Sequence, residues 1–170
     1  MANQAEIKEL FDIAVNRYGA MIRRVCRSYA TERASADDLY QEVMAAIWVG
    51  LSAFRGRSSL STWIYRVTLN TCISYLRRLD SRTLYDGRNE WVDLAEDLPH
   101  YGRDEYECLN YLISCLSPID KALILMWLDE RPYSEISDVT GLSVNVVGTR
   151  LTRIRNRLKQ LWQAEFSSKQ

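Results

Sequence analysis

Apolar positions in this chain recur at helical spacing from the first turn onward. Ile7, Leu10, Phe11, Ala14 and Tyr18 fall at i, i+3, i+4, i+7 and i+11, which predicts a first helix with one apolar face. Ile22, Val25, Cys26 and Tyr29 repeat the stripe in a second. Ser35 stands before Asp37 and Asp38, an N-cap followed by acids in the first turn, and opens a third helix. Its inner face is Leu39, Val43, Ala46 and Ile47, and its outer face carries Asp38, Gln41 and Glu42. Residues 50–59 read as a break, and Leu60 to Leu79 as a fourth, longer helix. No strand-like alternation competes in these first eighty residues.

A second helical block follows further along. Leu109, Leu112, Ile113 and Leu116 mark a fifth helix. Ser117-Pro118 starts a sixth, with Ser at the N-cap and Pro at the first helical position, and Ala122, Leu125, Met126 and Leu128 carry it to about Glu130. Tyr133 to Thr140 is a short helix with Ile136 and Val139 inward, ended by Gly141, which takes the left-handed conformation readily. Leu142 is an apolar plug and Ser143 the cap of a last helix running to about Phe166. Val144, Val147, Leu151, Ile154, Leu158 and Leu161 form its stripe. Short helix, Gly-containing turn and long helix make the unit that lays its second helix into the major groove of DNA.

Charge divides the chain where periodicity lapses. The 170 residues carry 22 Lys and Arg against 22 Asp and Glu, a net charge of zero. Residues 1–80 hold a net +3, residues 81–113 a net −5 and residues 114–170 a net +2. The acidic middle also contains Gly87, Pro99 and Gly102. Together these mark a linker at 82–104 between two modules, 1–81 and 105–170, the second basic from residue 114 onward. The expected fold class is therefore all-α: two small helical modules joined by an acidic linker, the C-terminal one a helix-turn-helix.

Composition narrows the class. A hydrophobic content of 47% supports a real core and argues against intrinsic disorder. Overall neutrality argues against a histone-like basic wrapper, which needs a surplus of cations at phosphates. No stretch approaches the roughly 18 apolar residues of a membrane span, and residues 1–8 lack an apolar signal core, so a cytoplasmic protein with no membrane insertion is expected. Cys26, Cys72, Cys108 and Cys115 form no CxxC pair and have no ligand-spaced histidine, so they read as small buried hydrophobes and no metal or cofactor is expected. No nucleophile with a base, HExxH or phosphate-binding Gly loop is present, and His100 lies in the linker, so the chain is not expected to be an enzyme.

Two faces carry nucleic-acid chemistry. On the last helix Asn145, Thr149, Thr152 and Asn156 share one side, flanked by Arg150, Arg153, Arg155, Arg157 and Lys159. Asn pairs with adenine, Thr touches the thymine methyl, and Arg reaches guanine or phosphate. A solvated Arg-rich face on a bundle helix has the same pattern. On the fourth helix Trp63, Arg66, Asn70, Ser74 and Arg77 share a face, with Arg78 beside it, behind the loop Phe54-Arg55-Gly56-Arg57-Ser58-Ser59. An aromatic, an amide and arginines suit an unstacked base. Packing of Trp63 into the core with Ile64 and Val67 is the competing reading, and the pattern alone leaves both open.

The segments DDLYQEVMAAIW and AFRGRSSLSTWIYRVTLNTCISYLRR, the acidic linker, and LSPIDKALILMWLDERPYSEISDVTGLSVNVVGTRLTRIRNRLKQLW resemble, in that order, the bacterial sigma factors of the extracytoplasmic-function (ECF) group. The resemblance implies a subunit of RNA polymerase that recognises promoters and has no catalytic chemistry of its own. It implies that Asp37, Asp38, Tyr40, Gln41 and Glu42 meet the polymerase clamp helices, and that the polymerase flap is a further contact. Phe54, Arg55, Gly56, Arg57, Ser58 and Ser59 with Trp63, Arg66 and Asn70 would form the minus-ten reading and melting surface, and Arg77 and Arg78 would lie on backbone. Asn145, Gly148, Thr149, Arg150, Thr152, Arg153 and Arg157 would face the minus-thirty-five element. The linker would run near the polymerase active-site channel, where its acids mimic nucleic acid. Members of this group are commonly held by an anti-sigma factor, often membrane-anchored. One departure falls at the heart of the last helix: where the family usually has Gly-Thr-Val-Lys-Ser-Arg, residues 145–150 read Asn-Val-Val-Gly-Thr-Arg. Gly148 in place of a phosphate-contacting cation implies weaker grip there, or closer approach of the backbone to the groove. The other reading of the whole chain is a stand-alone helix-turn-helix regulator that binds operator DNA, in which the acidic third helix has no role.

Overall fold

The structure, a computed structural model, describes residues 4–80 and 105–167, and the expected acidic linker at 82–104 lies outside them. Seven helices are described: α1 (Gln4–Tyr29), α2 (Ala36–Leu51), α3 (Leu60–Asp80), α4 (Glu105–Ser114), α5 (Pro118–Leu128), α6 (Tyr133–Thr140) and α7 (Val144–Ser167). The only extended pairing among the described residues is an isolated bridge between Thr31 and Ala34. The chain separates into two compact units, residues 1–83 and 84–170.

In the first unit α1, α2 and α3 pack mutually around one core. The two helices expected over residues 7–29 are one, α1. Tyr18 and Ile22 are four apart, so the two stripes are in phase, and Gly19 between them is buried with its α-carbon side facing the Tyr40 hydroxyl. Ile22, Val25 and Cys26 of α1 meet Leu39, Val43, Ile47 and Leu51 of α2 and Ile64, Tyr65, Leu69 and Cys72 of α3, all at most 2% exposed. Cys26 and Cys72 hydrogen-bond across the α1–α3 seam, and the contact holds the Cys26 thiol below its ordinary value. Tyr29 is almost wholly buried, and desolvation pushes its hydroxyl far above its usual range, so it stays neutral. All four cysteines are free thiols; Cys26, Cys72 and Cys108 are buried as expected, while Cys115 is only half-buried.

Ser35 caps α2 in a reciprocal box. Its hydroxyl accepts from the Asp38 N–H at 3.1 Å, and the Asp38 carboxylate accepts the Ser35 N–H at 3.3 Å and its hydroxyl at 2.8 Å. Ser59 caps α3, its hydroxyl accepting the Thr62 N–H at 3.1 Å.

In the second unit α7 lies against α4, α5 and α6. Its stripe Val147, Leu151, Ile154, Leu158 and Leu161 is buried against Leu112, Leu123, Met126 and Ile136 among others. Val144, placed in that stripe by spacing, is 46% exposed because it sits at the helix tip, before the neighbouring helices begin to cover α7. α5 ends at Leu128 rather than at about Glu130, because Glu130 adopts φ 55°. The Glu130 N–H bonds the Trp127 carbonyl at 3.0 Å and the Arg131 N–H bonds that of Met126 at 3.0 Å, the paired closure of a Schellman motif. Gly141, at φ 75°, ends α6 as its residue type demands.

The capping box makes a specific demand on stability. Ser35→Ala is expected to destabilise the full chain by about 1 kcal/mol, read from urea unfolding followed by far-UV circular dichroism.

Candidate nucleic-acid interfaces

The helix-turn-helix of the second unit is held by short polar contacts. The Ser137 hydroxyl donates to the Leu142 carbonyl at 2.6 Å, and Thr140 returns its hydroxyl to the Ile136 carbonyl at 2.7 Å. The Val146 N–H reaches the Ser143 hydroxyl at 3.4 Å, and the Val147 N–H reaches the Ser143 carbonyl at 2.9 Å. Because one stripe of α7 is buried, Asn145, Thr149, Thr152, Arg153 and Asn156 on the opposite side are all exposed. Thr149, Thr152, Arg153, Asn156, Arg157 and Gln160 line a shallow depression along this face. The Thr149 hydroxyl donates to the Asn145 carbonyl at 2.9 Å and that of Thr152 to the Gly148 carbonyl at 3.0 Å, which leaves their lone pairs and methyl groups facing outward.

Two residues of the expected minus-thirty-five set point elsewhere. Arg150 turns onto α5: its Nε donates to Asp120 Oδ1 at 2.9 Å and its Nη2 lies 2.7 Å from the same oxygen. The Asp120 side chain is 1% exposed, and its second oxygen is buried without a hydrogen-bond partner. Arg150 therefore neutralises an interior carboxylate and locks the rotation of α7. Gly148 faces α6, where a Cβ would lie 3.4 Å from the Tyr133 ring. Gly148 thus lies on the side of α7 that meets the first helix of the motif, at a distance where a Cβ would make an ordinary contact. Arg155 is likewise drawn back, with its guanidinium 4.4 Å from the centre of the Trp127 ring.

In the first unit the loop between α2 and α3 and the outer face of α3 come together. Trp63 is half-buried, and its ring lies over Gly50 so closely that a Cβ there would sit 2.9 Å from Cζ2. Phe54 packs on the other side, ring centroids 5.2 Å apart at 50°. Trp63 thus takes a middle course between the two readings: it is the floor on which the loop rests. Arg55 folds back, its Nη1 donating to the Ser52 carbonyl at 3.0 Å, and Ser59 is spent on the α3 cap. Gly56, at φ 66°, and Arg57 project from the loop, and Ser58 is half-buried. Asn70 and Arg77 are exposed on the same face of α3, and Arg66 is half-buried.

Arg78 does not stand free beside that face. It pairs with Glu42 of α2 at 3.5 Å and lies 5.5 Å from the Tyr75 ring centre. The acidic face of α2 is thinned by such contacts. Asp38 caps its own helix, and Tyr40 sits under the Arg23 guanidinium, 4.1 Å from its ring centre. Asp37 and Gln41 are exposed. Continuing the same row, Trp48 is 43% and Val49 71% exposed, an apolar extension that the search for charge passed over. Its signal was present in the sequence: Val49 lies seven residues beyond Glu42 on one helix face. A shallow groove between α2 and α3 is lined by Glu42, Ala46, Val49, Asn70, Ser74 and Arg78. No group of metal-ligating side chains and no helix long and apolar enough to cross a membrane occurs among the described residues.

A helix-turn-helix unit with an exposed polar face, preceded by a three-helix unit with a cationic loop and an acidic helix, defines a DNA-binding transcription protein of two modules. Comparison with known families agrees. Sigma-70 region 2 matches residues 14–82 and Sigma-70, region 4 matches residues 106–158. The chain is 24% identical over 165 residues to the ECF RNA polymerase sigma-E factor of Haemophilus influenzae, covering 89% of this chain and 87% of that one. It shares its fold with RpoE of Bartonella quintana, solved in complex with the anti-sigma factor NepR, at a TM-score of 0.70 and 19% identity over 90% of this chain and 96% of that one. It also matches CnrH, solved with the cytosolic domain of CnrY, at a TM-score of 0.65 and 23% identity over 96% of this chain and 91% of that one. The chain belongs to the sigma-70 family, in its extracytoplasmic-function group. The sigma-factor reading thereby stands over a stand-alone operator-binding regulator.

Two substitutions test this geometry. Arg150→Ala leaves Asp120 buried and unpaired and is expected to cost about 3 kcal/mol. The double change with Asp120→Ala is expected to cost less than the sum, in a denaturant double-mutant cycle. Gly50→Ala forces the Trp63 ring off its seat and is expected to cost about 1–3 kcal/mol, with a changed near-UV dichroism spectrum reporting the displaced indole.

Proposed function

We propose that this sigma factor engages promoter DNA with two separate surfaces and core polymerase with a third. Residues 1–81 serve as the polymerase-binding and minus-ten module, 105–170 as the minus-thirty-five module, and 82–104 as the acidic connection between them. On the first module Asp37 and Gln41, with the outer sides of Asp38 and Glu42 and the apolar pair Trp48 and Val49, meet the clamp helices of core polymerase. Exposed acids supply charge complementarity to a basic coiled coil, and the apolar pair supplies area at the same face. Tyr40 supports that face from below.

Downstream, Gly56, Arg57 and Ser58 with Asn70 capture an unstacked minus-ten base, while Trp63 and Phe54 hold the loop in place. Exposed Arg77 contacts phosphate, and Arg66 and Arg55 brace the site. Upstream, Asn145, Thr149, Thr152 and Arg153 read base edges from the major groove, and Arg157 fixes register on the backbone. Arg150 and Gly148 act one layer back, holding α7 at the angle that presents the others. The observation that carries the reading is the outer face of α7, whose amides, hydroxyls and Arg153 are exposed while the apolar stripe and Arg150 are bound internally.

The protein performs no chemistry itself; bond formation belongs to the polymerase, and the work is done in the cytoplasm, where polymerase and promoters are. A net charge of only +3 on residues 1–80 and +2 on residues 114–170 fits a protein that grips DNA firmly only as part of the holoenzyme. RpoE and CnrH were each solved with a partner, described as an anti-sigma factor for RpoE and a cytosolic domain for CnrH. An anti-sigma factor that covers the polymerase-binding face is the corresponding partner here, membrane-anchored if its sensing portion lies outside the cell.

The decisive measurement is run-off transcription with core polymerase on a library of upstream regions. Initiation from a subset of templates is expected, lost with Asn70→Ala on templates that remain duplex at minus ten and weakened at least tenfold with Arg153→Ala. Strong, specific gel shift by the isolated chain, with no initiation when core polymerase is added, would overturn the reading.

A further inference from the structure

The first turn of α7 contains an apolar side chain that the fold does not use. Val147, Leu151, Ile154, Leu158 and Leu161 of the same helix are at most 9% exposed, whereas Val146 is 42% exposed. Its N–H is tied to the Ser143 hydroxyl, so its backbone is part of the helix cap and its position is set. Thr149 and Arg153 lie three and seven residues on, in the same row along the outer side of the helix. Val144 in the same turn is 46% exposed as well, but it lies in phase with the buried stripe, so Val146 is the apolar point at the tip of a row otherwise built of a hydroxyl and a guanidinium group.

We infer that Val146 reads the C5-methyl group of a thymine in the upstream promoter element. The inference rests on the assignment of α7 as the minus-thirty-five helix and adds a base identity to it. N-terminal residues of the second helix of this motif are the ones that approach base edges. The thymine methyl is the one apolar group in the major groove, so an exposed branched aliphatic side chain there has a single complementary base. A β-branched residue in a helix is held largely in one rotamer, so its two methyl groups are presented with little ordering cost on binding.

The test uses the holoenzyme assembled from the full chain and core polymerase. Selection from DNA randomised upstream identifies the preferred element, and each thymine in it is then replaced singly by deoxyuridine, which removes only the methyl group. Wild type is expected to lose about four- to tenfold in binding at one position, the scale of one buried methyl. Val146→Ser, verified as folded by its melting curve, is expected to bind thymine and deoxyuridine equally at that position and to keep the wild-type response elsewhere. If no single methyl deletion weakens the wild type, or if Val146→Ser responds as the wild type does, Val146 does not read thymine. Enrichment of no upstream sequence at all would overturn the α7 assignment itself, and this inference with it; enrichment with a flat deoxyuridine scan overturns only this inference.

Discussion

Burial of one stripe of α7 determines the direction of every other side chain on that helix. With Val147, Leu151, Ile154, Leu158 and Leu161 turned inward, Asn145, Thr149, Thr152 and Asn156 have only the opposite side to occupy. A stripe alone tolerates some rotation of the helix about its axis. The contact between Arg150 and the buried Asp120 removes that freedom, because an interior carboxylate without its counter-charge is strongly unfavourable. Gly148 then admits the Tyr133 ring beside the helix, and the hydroxyls of Ser137, Thr140 and Ser143 hold the turn. The outward polar face is thus a by-product of interior packing and one ion pair, and Arg150, a DNA contact by resemblance, is engaged within the protein.

The first unit follows a related economy of charge. Several polar residues with a surface role on paper are engaged internally: Asp38 in the α2 cap, Tyr40 beneath Arg23, Glu42 with Arg78, Arg55 with the Ser52 carbonyl. What faces outward is sparser and more varied: Asp37, Gln41, Trp48 and Val49 on α2, and Gly56, Arg57, Asn70 and Arg77 on the side of the loop and α3. Single exposed charges in water are worth little, so a recognition surface built from few charges gains specificity from their placement around apolar contacts. The same reasoning explains how a chain of zero net charge serves DNA. Neutrality is an average over weakly basic residues 1–80 and 114–170 and the acidic stretch between them, and so small a surplus limits non-specific attraction to phosphate.

Local features were legible from the chain itself. The spans of α2, α3 and α6, the Ser35 cap with its first-turn acids, the Ser117-Pro118 start and the left-handed Gly141 each depend on residues within four positions of one another. The end of α5 falls two residues before the periodicity implies, because a left-handed Glu130 has no composition signal comparable to glycine. The join across Gly19 is carried by the phase of the stripe alone, since glycine weakens a helix only until packing compensates.

What the amino-acid sequence determined by itself is therefore the helical class, the order of its elements, the two-module division of charge and the helix-turn-helix pattern. All of these follow from periodicity and capping, which act over one or two turns. The tertiary structure decided which polar groups remain available to a partner. Arg150 meets Asp120 across thirty residues, Arg78 meets Glu42 across thirty-six, and Trp63 covers Gly50 from the next helix. Such pairings depend on how helices cross, and a helical face alone leaves that undefined. Residues of one type on one face, Arg150 and Arg153 among them, part company only when a neighbouring helix brings a buried carboxylate to one and none to the other.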